Sequence, residues 1–230
     1  MSVPEKLSPW IFGCLAFSGV EELDLMGPWE LAGMWGMYAG GPEQRLIVAE
    51  GEDPIVCAKG LRLVPHVSFE NCPPLDVLLV PGGQGTRREV DNQKLIDFIS
   101  RQARSCRAVL SVCTGSFLLE RAGILSGKKA TTHWASLDRL RALGGVTVVE
   151  DRFTRDGAVW TAAGVSAGMD LMLAFIASLA GDQAAGTVQL AAEYYPAGAL
   201  YGNGHLTPQA PAYIRSLGAA TSTPGFQPDI

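Results

Sequence analysis

Residues 107–123 read RAVLSVCTGSFLLERAG, and the fold follows from this stretch. Ala108-Val109-Leu110-Ser111-Val112 is short and almost continuously apolar, the pattern of a parallel strand covered on both faces. Thr114-Gly115-Ser116 then supplies small and polar residues, and Phe117, Leu118, Leu119 and Ala122 resume at helical spacing until Gly123 closes the helix. A strand turning directly into a helix places Cys113 at the corner. A side chain there is pushed out of the sheet, and a residue as small as Gly115 lets the two backbones pass closely. The open N–H groups of a helix N-terminus predict a thiolate-prone, nucleophilic Cys113. The competing assignment is a small buried core cysteine.

Working outward, Ile11 to Phe17 forms a first strand, and Ser18 to Asp24 leaves its carboxyl end as a loop. Pro28 suits the first turn of a helix running to about Tyr38. Open α/β sheets bind ligands beyond the carboxyl ends of their strands, so Asp24 is a candidate for chemistry; its plainer role is to cap that helix. Arg45 to Ala49 reads as a second strand and Pro54 to Pro65 as a strand-turn-strand. Asp76 to Val80 is another buried strand, stopped by Pro81-Gly82-Gly83, where two glycines let N–H groups point into a site. Asn92 to Ala103 is an amphipathic cover helix. Cys106 lies among arginines, which predicts either a lowered pKa or simple exposure. Lys129 to Thr132 is a short strand leading to His133-Trp134, followed by a helix over 136–143 and strands at 146–149 and 158–161. Val165 to Leu179 is a helix apolar nearly all round, and Gly168 allows a close backbone approach. Gln183 to Glu193 is a further helix; the Gly/Pro/Ala-rich remainder, with Tyr201, Asn203 and His205, reads as irregular, either over a site or on the surface.

These alternating elements predict one α/β domain over 1–230, with its core at about 11–196: a flavodoxin-like sandwich with a mostly parallel sheet. A chain 47% hydrophobic and 18% charged can bury such a core. Its net charge of −5, without a dense basic cluster, argues against a nucleic-acid partner. Five cysteines without a CxxC pair or zinc-type spacing predict reduced thiols in the cytoplasm and no metal site. The Ile11–Phe17 run is too short for a secretory signal, and no segment reads as a membrane span.

Ser111-Val112-Cys113-Thr114-Gly115-Ser116, together with Ala130-Thr131-Thr132-His133-Trp134, resembles the ThiJ/PfpI superfamily, relatives of class I glutamine amidotransferases. Within it the isocyanide hydratases are the closer match, and the likeness runs from about Phe12 to Pro196. Leu23-Asp24-Leu25-Met26-Gly27-Pro28 fits the hydratase segment whose acid lies beside the nucleophilic cysteine. The resemblance therefore implies a Cys113 nucleophile with Asp24 as acid/base. It also implies an oxyanion-type pocket from the N–H groups of Gly83 and Thr114, no cofactor, and a homodimer. Many members place a histidine directly after the cysteine; Thr114 stands there instead, which argues against a peptidase. His133 is left as either an accessory group or a structural hydrogen-bonder. Hydratases carry consecutive glycines where this chain has Ala162-Ala163-Gly164, so the pocket wall is expected to differ. Competing readings are a redox or stress-response protein cycling Cys113, a glyoxalase-like enzyme, and a ligand-sensing domain of the AraC-type regulators. The residues after Pro196 are too few for the DNA-binding part of such a regulator.

Overall fold

The computed structural model describes residues 10–196 and 200–220. The N-terminal tail ahead of the first strand lies outside them. Seven strands form one sheet: Ile11–Leu15 (β1), Gln44–Ala49 (β2), Val67–Ser68 (β3), Val77–Val80 (β4), Ala108–Val112 (β5), Phe153–Asp156 (β6) and Val159–Ala162 (β7). Their order is β6-β7-β5-β4-β1-β2-β3, and every neighbouring pair is parallel except the β6-β7 hairpin at one edge. β4 and β5 are buried along their whole length, as their unbroken apolar sequences require.

The chain steps from β1 outward to β2 and β3, then returns past β1 to β4 and proceeds the other way to β5. With right-handed crossovers, that reversal puts successive helices on opposite faces of the sheet. Glu22–Tyr38 (α1), Ala167–Ala180 (α4) and Asp182–Ala191 (α5) pack together, and Gln93–Ala103 (α2) packs with Gly115–Arg121 (α3). On the first side Trp35 and Trp160 each meet Phe175 edge-on, at 6.3 and 5.6 Å. On the second Phe98 stacks on Phe69 at 4.3 Å. The reversal also creates a crevice between β1 and β4 at their carboxyl ends, the usual ligand position in such sheets.

Most expected elements are present within a residue or two, and two differ. The first helix begins at Glu22, well before Pro28, so Asp24 lies in its first turn and not in a loop. Glu22 and Asp24 favour the positive helix N-terminus, and this outweighs the loss at Pro28, which leaves the Asp24 carbonyl without its ladder donor. The C-terminal segment is not wholly irregular: it carries a short 3₁₀ turn over Gly204–Leu206 and a helix over Ala212–Ala220. Tyr201 is 90% exposed and covers no site.

Candidate active site

Cys113 sits at φ 56°, in the left-handed region that non-glycine residues seldom occupy. The surroundings hold it there. Its N–H is shared between the carbonyls of Ala162 and Ala163, at 3.1 and 2.8 Å. Its carbonyl accepts from the Thr132 hydroxyl at 2.9 Å and the Ser116 hydroxyl at 3.2 Å. A Cβ on Gly115 would lie 2.1 Å from the Val80 carbonyl, so only glycine lets α3 leave the sheet at this angle. This is the strained strand-to-helix corner that the sequence predicts.

Asp24 comes from the other side of the crevice. It is 0% exposed, and its Oδ2 accepts a 2.9 Å hydrogen bond from the Gly82 N–H. Its Oδ1 is buried without a hydrogen-bond partner, and the Cys113 thiol is the neighbouring group acting on this carboxyl. Burial pushes Asp24 up to about 8, against the pull of the Gly82 N–H. Asp24 therefore binds the next element of the site and does not cap its own helix, which has no side-chain cap.

Cys113 corrects the expectation of a ready thiolate. Burial and the adjacent Asp24 push it up to about 12, although the Thr114 N–H and hydroxyl both favour the ionised sulfur. The helix it opens is only seven residues long, and a carboxyl beside a desolvated thiol opposes a second negative charge more strongly than that end supports one. The thiol and carboxyl titrate as a pair.

Gly82 and Gly83 divide their work. A Cβ on Gly82 would fall 2.5 Å from the Thr114 nitrogen and 2.9 Å from Asp24 Oδ2, so this glycine lets the three segments meet. Gly83 has φ 123°, and its N–H is not open to a ligand: it donates to Thr114 Oγ1 at 3.1 Å. The Thr86 hydroxyl donates to the Gly83 carbonyl at 2.7 Å, the Thr114 hydroxyl lies 3.4 Å from that same carbonyl, and the Thr114 side chain favours the ionised sulfur.

His133 borders the site. A Cβ on Gly164 would collide with His133 Cδ2 and lie 3.3 Å from Cys113 Sγ, so the ring and the sulfur border the same space and only glycine leaves it open. Nδ1 accepts the Ala135 N–H at 3.2 Å and caps a 3₁₀ turn, and burial lowers the pKa of the ring. That nitrogen is occupied and cannot serve as a base. In the Ala162-Ala163-Gly164 wall, both alanine methyls are fully buried and only Gly164 is sterically required. Cys106 is half-buried, donates to the Leu75 carbonyl at 3.2 Å, and is pushed up to about 12 by burial, against the lowered pKa considered from sequence. Among the described residues no three His, Cys, Asp or Glu side chains come together as metal ligands would. No helix among them is long and apolar enough to cross a membrane.

A cleft of about 720 Å³ opens beyond β2, lined by Phe17, Glu50, Ile55, Phe69, Arg88 and Leu95. Neither Cys113 nor Asp24 lines it, so its size does not make it the site of this chemistry. Sequence reading missed three contributors. Thr132 is visible inside the Thr-Thr-His-Trp motif, Gly82 is masked by its glycine neighbour, and Glu21, whose side chain pairs with that of Lys59 and whose N–H donates to the Gly82 carbonyl, joins segments too far apart in sequence to be associated.

A cysteine on a strained corner, at the carboxyl ends of a parallel sheet and facing a buried acid, defines an α/β protein of the nucleophile-elbow class. The chain belongs to the DJ-1/PfpI family, whose profile matches residues 13–178. It is 43% identical over 186 residues to an isonitrile hydratase of Pseudomonas putida, covering 80% of this chain and 78% of that one. A crystal structure of a ThiJ/PfpI family protein from Pseudomonas syringae superposes with a TM-score of 0.77 at 34% identity, over 93% of this chain and 88% of that one. The transcriptional regulator GbdR of Pseudomonas aeruginosa is 36% identical over 118 residues, 51% of this chain but only 32% of the regulator.

Proposed function

We propose that this protein hydrates isonitriles to N-substituted formamides through a covalent intermediate on Cys113. The observation that carries the reading is the buried Asp24 carboxyl, one oxygen of which has no hydrogen-bond partner, acting on the Cys113 thiol, in a chain similar over most of its length to an isonitrile hydratase. An isonitrile's terminal carbon accepts a nucleophile and then needs a proton on the same carbon. One thiol and one carboxylate supply both.

Asp24, as carboxylate, takes the Cys113 proton while the sulfur attacks the terminal carbon. The S–C bond forms, the C≡N bond becomes C=N, and Asp24 returns the proton to that carbon, giving a thioimidate. Water then adds across C=N, oxygen to carbon and a proton to nitrogen. The C–S bond breaks as the hydroxyl proton passes to the Asp24–Cys113 pair, leaving the formamide and the starting enzyme. The Thr114 N–H and hydroxyl stabilise the sulfur anion at departure. Gly83 acts through the Thr114 oxygen, and His133 serves as an accessory wall of the pocket. The reading includes a homodimer, as the family resemblance implies, a cytoplasmic location, as the unpaired cysteines suggest, and no cofactor.

The sensor-domain alternative rests on matches that cover 32% and 39% of two regulators, GbdR and CdhR, and leaves the acid beside the thiol without a task. The test is formamide production from a simple aryl isonitrile by wild type, Cys113→Ala and Asp24→Asn. Cysteine-dependent turnover that drops by roughly two or more powers of ten in Asp24→Asn is expected. Turnover surviving in Cys113→Ala, or absent in wild type, would overturn the reading.

A further inference from the structure

Glu21 and Lys59 form an ion pair beside the site, with Lys59 Nζ 2.5 Å from Glu21 Oε2. Two backbone hydrogen bonds tie Glu21 to Asp24: the Glu21 N–H donates to the Gly82 carbonyl at 2.9 Å, and the Gly82 N–H donates to Asp24 Oδ2 at 2.9 Å. The Glu21 side chain is only 15% exposed, whereas that of Lys59 is 68% exposed. The negative member is therefore sheltered at the site and the positive member reaches in from solvent.

Lys59 is held at that position by its own segment. It occupies the turn of the ribbon formed by Ile55–Val56 and Arg62–Leu63. Its N–H donates to Glu22 Oε1 at 2.6 Å, the Ala58 N–H to the Val20 carbonyl at 2.8 Å, and the Gly19 N–H to the Val56 carbonyl at 2.8 Å. The ribbon is thus clamped to the loop that precedes Asp24, and its one lysine at the turn meets Glu21. These contacts are more than a solvent-exposed ion pair needs, since such pairs stabilise proteins little.

We infer that Glu21 and Lys59 are positioning residues that set the charge state of the Asp24–Cys113 pair, Glu21 holding protons on it and Lys59 offsetting Glu21. The inference rests on the catalytic reading above. The groups that act on Asp24 are the Gly82 N–H from the β4 turn, in direct hydrogen bond, and the charges or dipoles of Glu21 at the start of its own helix, Cys113 at the elbow and Lys59 in the ribbon. Glu21 acts in the raising sense on Asp24, Cys113 and His133 alike, and Lys59 in the lowering sense on Asp24.

The test is the rate of Cys113 alkylation by iodoacetamide against pH, resolved by peptide mass spectrometry in the full chain, with no isonitrile present. In parallel, the infrared band of protonated Asp24, identified by its loss in Asp24→Asn, is titrated. Glu21→Gln should move both midpoints to lower pH, and Lys59→Met should move them higher. Each shift should be about half a unit, the scale of one uncompensated charge across roughly 10 Å in partly solvated surroundings. The double variant should return near wild type. Lys59→Met keeps the backbone bonds of the ribbon, so a merely structural role would leave the midpoints in place. Unmoved midpoints, or single variants shifting in the same direction, would overturn the inference. Failure of the wild type to hydrate isonitriles, with the opposite shifts intact, would overturn the catalytic reading and leave this one standing.

Discussion

Asp24, in the first turn of α1, and Cys113, at the end of β5, act on one another across the crevice, and one buried oxygen of the Asp24 carboxyl has no hydrogen-bond partner. Its other oxygen is held by Gly82. The coupling of this carboxyl to the thiol ties stability, rate and pH to one group.

The first consequence is on stability. Asp24 is held at about 8 in the folded protein, against about 3.9 for an unfolded aspartate. Between those values the folded state keeps a proton that the unfolded state has lost, so stability from this group is complete below about pH 4 and is lost as pH rises through 8. Asp24→Asn removes that slope, at most about 1.4 kcal/mol per pH unit. Thermal melts should therefore show the variant gaining on wild type from pH 4 to 8. His133, whose burial gives the opposite sign near its own pKa, is present in both proteins and cancels. A constant difference between the melts across that range would mean Asp24 is ionised in the fold.

The second concerns rate. With both groups raised by burial, the pair near pH 6 carries two protons and lacks the carboxylate that accepts the thiol proton. The form with one proton is the reactive one, so kcat/KM should climb about tenfold per unit toward pH 8 and then level. The residual activity of Asp24→Asn should lack that limb. A rate that falls between pH 6 and 8 would show that a protonated acid, and not the carboxylate, begins the reaction.

Strain at the elbow gives a third. Glycine normally costs a folded position about 0.5–1 kcal/mol relative to alanine, but at φ 56° the alanine Cβ meets the left-handed penalty of about 1–2 kcal/mol. Both Cys113→Ala and Cys113→Gly should be inactive, and the glycine variant should melt at the same temperature or higher. The usual order, alanine clearly above glycine, would show that the corner relaxes once sulfur is removed.

The elbow was legible because its signals are local: an apolar run, one cysteine, then small residues before a helical pattern. The same locality explains what sequence reading missed. Charge at Cys113 depends on Asp24, whose 89-residue separation in sequence is closed only by the sheet order, and on desolvation that no spacing encodes. The start of α1 was misplaced because Pro28 is the stronger local signal, whereas the acids at 22 and 24 begin the helix earlier. Gly83 was read as a free donor since a glycine pair announces flexible N–H groups without saying where they point. Its partner, Thr114 Oγ1, lies 31 residues away.

That Thr114 oxygen yields the last prediction. It accepts the Gly83 N–H at 3.1 Å, and the Thr114 side chain favours the ionised form of Cys113, so one hydroxyl links the glycine turn to the nucleophile. Thr114→Val keeps the shape but leaves the Gly83 N–H without its acceptor, a loss on the order of 1–3 kcal/mol when such a group is buried. It also removes a donor from the sulfur, so the pH at half-maximal Cys113 alkylation should rise and isonitrile turnover should drop roughly tenfold or more. Thr114→Ser keeps the hydroxyl and should restore both readouts to near wild type, which a loss caused by packing of the methyl group would not allow. If valine titrates and turns over as threonine does, the thiolate is stabilised by backbone N–H groups alone, and the hydroxyl belongs to the architecture of the turn.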